Sequence, residues 1–520
     1  MSTAESDVLS ASRRRLVLVV CASSLFLVGL DTTIVNVALP SIGDGLAIGA
    51  RGLEWVVDAY TIVFASLLIT SGAIADRFGR RRVFLIGLIG FGVTSLLCAL
   101  APNAGVLIAA RALQGVAASM LSPVALAIVV AATPDPRERA RAIGVWASVF
   151  GLSMAAGPVL GGVLLHNFEW RSVFWINVPL VLVALVAVLT VVPESHGVRT
   201  RRLDPAGQLL LIALLALGVG ALIEGPHVGW TAPAMLAIYA GLVVVAGVFI
   251  GVETRRSAPL IDLSAFGQPE FTAAVLGALA VFVSISMTLL FTTFYLQVGR
   301  GWAPMATGLA VLPIAAGATV CAPLSGRMVA SRGPRRPLFI AGGFMAAGGL
   351  LAWMSTGSLV GDGGVSVLLL LVAYALFGIG IGFANAPITN TAVSSLPAER
   401  AGVAGGITST ARQVGAAVGI AVAGGLLGSA LTPASDVRSA ELSGVLAPGW
   451  LIVAACGVGL ILLATAAPHA QGALDAITLT TLELPLLCRS MRMTSDTRHT
   501  IYKPERNRLN STCVEQLEWP

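Results

Sequence analysis

Residues 16–40 read LVLVVCASSLFLVGLDTTIVNVALP, and a single acid, Asp31, stands inside them. About 20 consecutive apolar residues are enough to cross the hydrocarbon core of a bilayer. Asp31 therefore falls within a membrane segment. A carboxylate at such depth costs on the order of 2.5–3.5 kcal/mol on insertion scales, so acids there face the interior of a bundle and find partners or a task. Two readings follow: Asp31 pairs with a buried arginine to hold helices together, or it handles an ion or a substrate.

The rest of the chain has the same character. Of 520 residues, 56% are hydrophobic and 11% charged, against about 25% charged in soluble domains. Apolar runs of about 18–28 residues recur from Leu16 to Ala467. Lipid admits only helices or closed barrels, and runs this long exclude the roughly 10-residue strands of a barrel. The fold class is an all-α polytopic membrane protein. Fourteen helices are predicted near 15–40, 53–73, 83–101, 105–130, 140–165, 172–192, 206–224, 232–252, 270–297, 305–327, 336–356, 366–388, 401–430 and 449–467. The first follows Arg13-Arg14-Arg15 and lacks a small-residue cleavage site, so it reads as a retained helix and not as a signal peptide.

The net charge of +6 does not imply nucleic acid, because the arginines fall in loops of one parity. About 20 lie on one side, including Arg13 to Arg15, Arg80 to Arg82, Arg335 and Arg336. About four, Arg51, Arg171, Arg300 and Arg438, lie on the other. That bias makes the arginine-rich side cytoplasmic, with both termini inside. Trp55, Trp170, Trp175, Trp230, Trp302, Trp353 and Trp450 fall near the opposite ends, where an aromatic belt is expected. Cys21, Cys98, Cys321 and Cys456 lie in apolar runs without metal-ligand spacing and read as packed small hydrophobes.

An internal repeat sets the domain organisation. Gly72, Gly79 and the arginines after it match Gly326, Gly333 and Arg335-Arg336 at an offset of about 254. Pro136-Arg137-Glu138-Arg139-Ala140 matches Pro397-Ala398-Glu399-Arg400-Ala401 at about 261. Helices 1–6 are thus repeated in parallel as helices 9–14, an arrangement found in transporters. The expected parts are an N-terminal tail (1–14), a six-helix bundle (15–192), two inserted helices with cytoplasmic linkers (193–269), a second six-helix bundle (270–467) and a cytoplasmic, disordered tail (468–520).

Four motifs carry chemistry. The loop Gly72-Ala73-Ile74-Ala75-Asp76-Arg77-Phe78-Gly79-Arg80-Arg81-Arg82 combines glycines for a tight turn with a charge cluster able to join two bundles in one state and release them in another. A plain positive-inside anchor would explain the arginines but not the Gly/Asp/Gly spacing. Helix 4 carries Arg111 with Gln114 and Gly115, and a buried arginine needs partners as much as a buried acid does. Helix 5 carries Gly157, Pro158, Gly161 and Gly162: proline removes a backbone hydrogen bond, and small residues four apart allow close helix packing. Asp58 lies near the start of helix 2, either facing a cavity or solvated. Glu224 reads as a solvated helix end.

The loop at 72–82 resembles the signature between helices 2 and 3 of the major facilitator superfamily. The stretch 30–40 resembles the helix 1 signature of its fourteen-helix drug/proton antiporters, the QacA/EmrB type. Trp55-Val56-Val57-Asp58-Ala59-Tyr60, Trp170-Arg171, Asn177-Val178-Pro179, Tyr295-Leu296-Gln297 and Arg412-Gln413 are similar too, over about residues 13–467. The resemblance implies a major facilitator fold of two six-helix bundles plus two inserted helices. It implies that Gly72, Asp76, Arg77, Gly79, Arg80 and Arg81 gate the cytoplasmic side, and that Gly157, Pro158, Gly161 and Gly162 form the antiporter helix kink. It further implies that Asp31, Arg111 and Asp58 serve proton coupling or substrate. The second copy of the loop departs from the pattern, with Ala330 aligned to Asp76. Helix 10 lacks the acid some members carry, which weighs against a preference for divalent cationic drugs.

The expected function is proton-coupled export of amphipathic small molecules, such as antibiotics, dyes or biocides, across a bacterial plasma membrane by alternating access. The alternatives are a dedicated exporter of one endogenous metabolite, a non-transporting receptor or scaffold, and an uptake symporter or uniporter, against which the Gly157-Pro158 signature speaks. The expected partners are the substrates, protons and the lipid bilayer, with no nucleic acid, and a monomer is consistent with them. No GxxxxGK[ST] loop for ATP and no catalytic constellation is present in the sequence, so no enzyme, metal or cofactor is expected.

Overall fold

The computed structural model describes residues 10–133, 136–196, 204–256, 259–356, 367–396, 401–428 and 439–466. The expected tail from 468, most of the expected N-terminal tail, the linker arginines Arg199, Arg201 and Arg202, and the repeat motif at 397–400 lie outside them. The described chain is helix after helix. The first six segments are α1 (Ala11–Leu46), α2 (Ala50–Phe78), α3 (Arg80–Ala99), α4 (Ala104–Ala132), α5 (Pro136–Asn167) and α6 (Ser172–Val191). Next come α7 (Pro205–Val228) and α8 (Pro233–Arg255). The last six are α9 (Pro269–Gly299), α10 (Pro304–Arg332), α11 (Arg335–Thr356), α12 (Val367–Ser394), α13 (Ala401–Gly428) and α14 (Ser439–Ala464). Among the described residues 13 of these are long and apolar enough to span a membrane. The 32-residue α5 completes the fourteen.

Most helices run past their predicted ends, because the polar turns that reading by hydropathy assigns to loops are still helical. α1 continues six residues beyond Pro40 to Leu46. One lost backbone hydrogen bond is tolerable in a buried helix whose neighbours pack around it. α14 begins ten residues before its predicted start, which puts Trp450 in its interior.

Prolines interrupt the helices where the architecture needs a bend. α4 breaks at Met120 and Leu121, two residues before Pro123, and the turn tightens to bonds from Met120 and Leu121 to Ala117 and Ala118. α10 breaks at Val311, two residues before Pro313. α6 breaks at Ile176, ahead of Pro179. The last turn of α9, Phe294–Gly299, is a π-helix, a wide turn common at functional positions. From it the Gln297 amide donates to the Val37 carbonyl of α1 at 3.1 Å.

Helices α1 to α6 pack on one another through α1–α5, α2–α4, α3–α4 and α3–α6, and α9 to α14 through α11–α14, α10–α12, α11–α12 and α9–α13. The two sets meet where α2 lies along α13 and α5 along α10. The α7–α8 pair leans on α2 and α13. Gln208 of α7 fixes it by donating to the Ser66 carbonyl at 2.9 Å and accepting from Thr70. Large apolar side chains such as Ile86, Val93, Val183, Val243 and Val244 are exposed on the perimeter, where lipid would cover them.

The two copies of the loop motif share one backbone device. Gly79 ends α2 with φ of 107°, and Gly333 ends α10 with φ of 75°. Both lie in the left-handed region that only glycine enters without strain.

Small residues set the helix spacing elsewhere. A Cβ on Gly115 would lie 2.5 Å from the Tyr60 carbonyl oxygen, so α4 and α2 touch backbone to backbone. Gly115→Leu is expected to cost about 1–3 kcal/mol by overpacking, read as a lower unfolding temperature in detergent. An unchanged unfolding temperature would contradict that close approach.

Candidate functional site

Asp31 of α1 is the centre of a network to which α2, α3, α4 and α6 contribute, and side chains of α4 and α6 bond it directly. Its Oδ2 accepts from Nη1 of Arg111 on α4 at 2.6 Å. Its Oδ1 accepts from Nε2 of Gln114 on α4 at 3.0 Å and from Nδ2 of Asn177 on α6 at 2.9 Å. Ser95 of α3 takes the second hydrogens of those amides, at 2.8 Å from Gln114 and 3.3 Å from Asn177. Arg111 also donates from Nη1 to Gln114 Oε1 at 2.7 Å and from Nε to the Val56 carbonyl of α2 at 3.1 Å. Its guanidinium lies 4.2 Å from the centre of the Tyr60 ring, a cation–π contact that strengthens away from water. Both charges are fully enclosed, at 0% exposure. Such a pair is tolerable in a low-dielectric interior because good geometry and extra hydrogen bonds offset the desolvation of both ions.

Sequence and local structure explain the assembly. Arg111 and Gln114 are three residues apart, so they share one face of α4. The break in α6 before Pro179 leaves Asn177 at a helix start, where its side chain turns into the bundle. Asn177, Ser95 and Tyr60 were not picked out as site residues by their sequence positions. A polar residue in an otherwise apolar run was the available signal for the first two.

Asp58 does not join this network. Val56 and Tyr60 face α4, and a residue two positions from each along a helix points away from them. Asp58 is buried at 0% exposure, in register with the residues of α2 that meet α13, and neither of its oxygens has a hydrogen-bond partner among the described residues. Helical register therefore places it apart from the hydrogen bonds of Asp31 and Arg111. It is also enclosed, which excludes the solvated reading. Glu224 is not a solvated helix end either. The packing of α7 on α2 brings it to Arg51, at 2.7 Å, and to Trp55 Nε1, at 3.3 Å.

Two tryptophans expected in an interfacial belt are core residues instead. Trp170 and Trp450 are nearly inaccessible, stacked edge-on against Phe174 and Phe291. The end of a helix can be interior when other helices surround it.

The 72–82 loop makes its contacts inside the first six helices. Asp76 pairs with Arg80 at 2.8 Å. Arg80 donates to the Ser195 and Ala127 carbonyls. Arg81 donates through its backbone to Glu194 at 3.0 Å and through its side chain to the Leu189 carbonyl at 2.6 Å. Gly79 is packed against the Glu194 carboxylate. Arg77 is exposed, and Gly72 has open space beside it. The charge cluster expected to join two bundles here ties α2 and α3 to α4 and to the segment after α6, because Glu194 supplies the acid nearest to it.

The helix 5 motif has two working faces. Gly157 rests against Thr33 and Ile34 of α1, and Gly161 against Ile34. Pro158 and Gly162 meet α10, where a Cβ on Gly162 would lie 2.5 Å from Cα of Met305 and Gly308 abuts the Pro158 carbonyl. On α13, Arg412 donates to the Thr389 hydroxyl at 2.5 Å and lies 6.0 Å from the Phe282 ring centre.

Membrane-spanning helices packed around a buried charge network define a polytopic membrane transporter. The chain belongs to the Major Facilitator Superfamily, whose model matches residues 21–420. It is 39% identical over 417 residues to the multidrug resistance protein Stp of Mycobacterium tuberculosis, covering 80% of this chain and 76% of that one. It is 36% identical over 413 residues to the tetracenomycin C resistance and export protein of Streptomyces glaucescens, covering 79% and 76%. The solved nucleoside transporter NupG shares its fold, with a TM-score of 0.59 at 14% identity over 87% of this chain and 99% of that one. With bacterial relatives and many membrane spans, it is a plasma-membrane protein.

Removing one member of the buried pair leaves the other uncompensated. Arg111→Ala is expected to cost about 3–5 kcal/mol. The double variant Asp31→Asn with Arg111→Gln is expected to unfold at a higher temperature than Arg111→Ala alone. Equal unfolding temperatures for the parent and both variants would show that the pair carries no such energy.

Proposed function

We propose that the chain exports amphipathic small molecules, including antibiotics, dyes and biocides, in exchange for protons. The carrying observation is the enclosed Asp31–Arg111 pair at the meeting point of α1, α2, α3, α4 and α6. The related Stp and tetracenomycin proteins, a multidrug resistance protein and a tetracenomycin C resistance and export protein, supply the class of cargo. We read the chain as two rocking six-helix bundles, 15–192 and 270–467, with the inserted segment 193–269 between them. The arginine-rich ends, both termini among them, face the cytoplasm.

In this reading Asp31 takes a proton when its bundle opens outward, and Arg111 is then held by Gln114 and the Val56 carbonyl. Substrate is exchanged against that proton, and Asp31 returns to Arg111 when the proton leaves inside. One charge moved through 100 mV contributes about 2.3 kcal/mol to the cycle. The 72–82 loop gates the cytoplasmic side by holding α2 and α3 in register with α6. The helix 5 motif transmits the motion, since it touches α1 on one face and α10 on the other. Dedicated export of one compound is the second reading, favoured by the likeness to the tetracenomycin protein. A growth-inhibition panel with and without the expressed chain separates a broad from a narrow profile.

In proteoliposomes with an imposed pH gradient, Asp31→Asn is expected to abolish gradient-driven efflux while the protein still inserts and folds. Full gradient-driven efflux from that variant would remove Asp31 from the coupling.

A further inference from the structure

A second acid lies one turn from Asp58 on α2. Glu54 is 3% exposed, and neither of its carboxyl oxygens has a hydrogen-bond partner among the described residues. Spacing of four residues puts Glu54 and Asp58 on one stripe of the helix. That stripe is the one facing α13: Gly424 is packed on the Glu54 carboxyl, Ile62 clusters with Ala417 and Ala421, and the Ala65 carbonyl accepts from Thr410. Glu54 also lines a narrow crevice, with room for about one water, between α1, α2, α9 and α13, whose other walls include Leu39, Leu53, Phe294 and Ile420. The seam where the first and last six helices meet therefore closes over a carboxyl with no donor.

An ionised carboxyl buried without a partner is costly by several kcal/mol, and a proton removes most of that cost. Among the described residues no cation is supplied from the seam. The α1, α9 and α13 walls of the crevice are apolar. On α2 itself the neighbouring charges are Asp58 and Arg51, and α7 offers Glu224, to which Arg51 is already bound. Glycine at 424 leaves room for the carboxyl and for nothing larger, since a Cβ there would overlap it.

We propose that Glu54 is a second proton-carrying carboxyl of this transporter: a proton taken up from the tryptophan-bearing side lets the α2–α13 seam close, and its loss opens the seam. The inference rests on the proton-driven reading above, and adds to Asp31 a group that senses the proton at the moving interface. The step conserves charge: one proton from water adds to the carboxylate, and the same proton returns to water when the seam parts.

The test reads the seam without substrate or gradient. Leu427 lines the crevice and is fully buried, so with the six native cysteines replaced by alanine the thiol of Leu427→Cys reports opening through its reaction with a membrane-impermeant maleimide. Val228→Cys, at an exposed site on α7, corrects for the pH dependence of thiols themselves. The corrected reactivity of Leu427→Cys is expected to rise about tenfold from pH of about 6 to about 9. Added Glu54→Gln should hold it low throughout, and Glu54→Asp should keep the rise. A flat profile in the parent, or an unchanged rise with Glu54→Gln, overturns the proposal. Because no transport is read, either result is distinguishable from a failure of Asp31 in coupled efflux.

Discussion

Two full charges stand where a membrane provides neither water nor counter-ions, and the first six helices are arranged so that they can. Asp31 and Arg111 attract each other strongly because the medium around them screens poorly, and for the same reason each is very costly alone. The bundle meets that constraint with donors from Gln114 and Asn177, a hydroxyl from Ser95, a carbonyl from Val56 and an aromatic face from Tyr60. Breaks and close contacts in the surrounding helices serve this centre. The interruption of α6 frees Asn177, and Gly115 lets α2 come near enough to present Val56 and Tyr60.

Helix α2 has a different task on each side. One face supplies part of the charge network, while the opposite face carries Glu54 and Asp58 against α13 without donors. A carboxyl supplied with donors, Asp31 on α1, and two without donors among the described residues, Glu54 and Asp58 on α2, thus stand on neighbouring helices. Helix α5 is likewise two-sided, with glycines toward α1 and the Pro158–Gly162 stretch toward α10. Motion of one set of helices against the other must pass through these two helices, since they form the main contacts between the sets.

The arginine loop makes a related point about local structure. Its positive-φ glycine turns the chain in one residue and brings Arg80 and Arg81 onto carbonyls and Glu194. The corresponding turn at Gly333 also takes a positive φ, with no acid at Ala330. The positive-φ glycine is shared between the two copies, and the charge beside it is not.

Much of this protein was legible in one dimension. The length of the apolar runs requires membrane-spanning helices, because backbone groups must be satisfied within the segment. The isolated Asp31 and Arg111 announced a partnership, because neither charge is stable alone in lipid. Residues close in sequence, such as Arg111 with Gln114, also revealed their shared face. Tertiary structure alone decided which distant groups met. It brought Asn177 to Asp31, Ser95 to Gln114 and Asn177, Glu224 to Arg51 and Trp55, and Trp450 into a core, and it turned Asp58 away toward α13 beside Glu54. Hydropathy reports how deeply a residue lies, but the rotation of each helix about its axis is set by its neighbours, and that rotation chooses the partners.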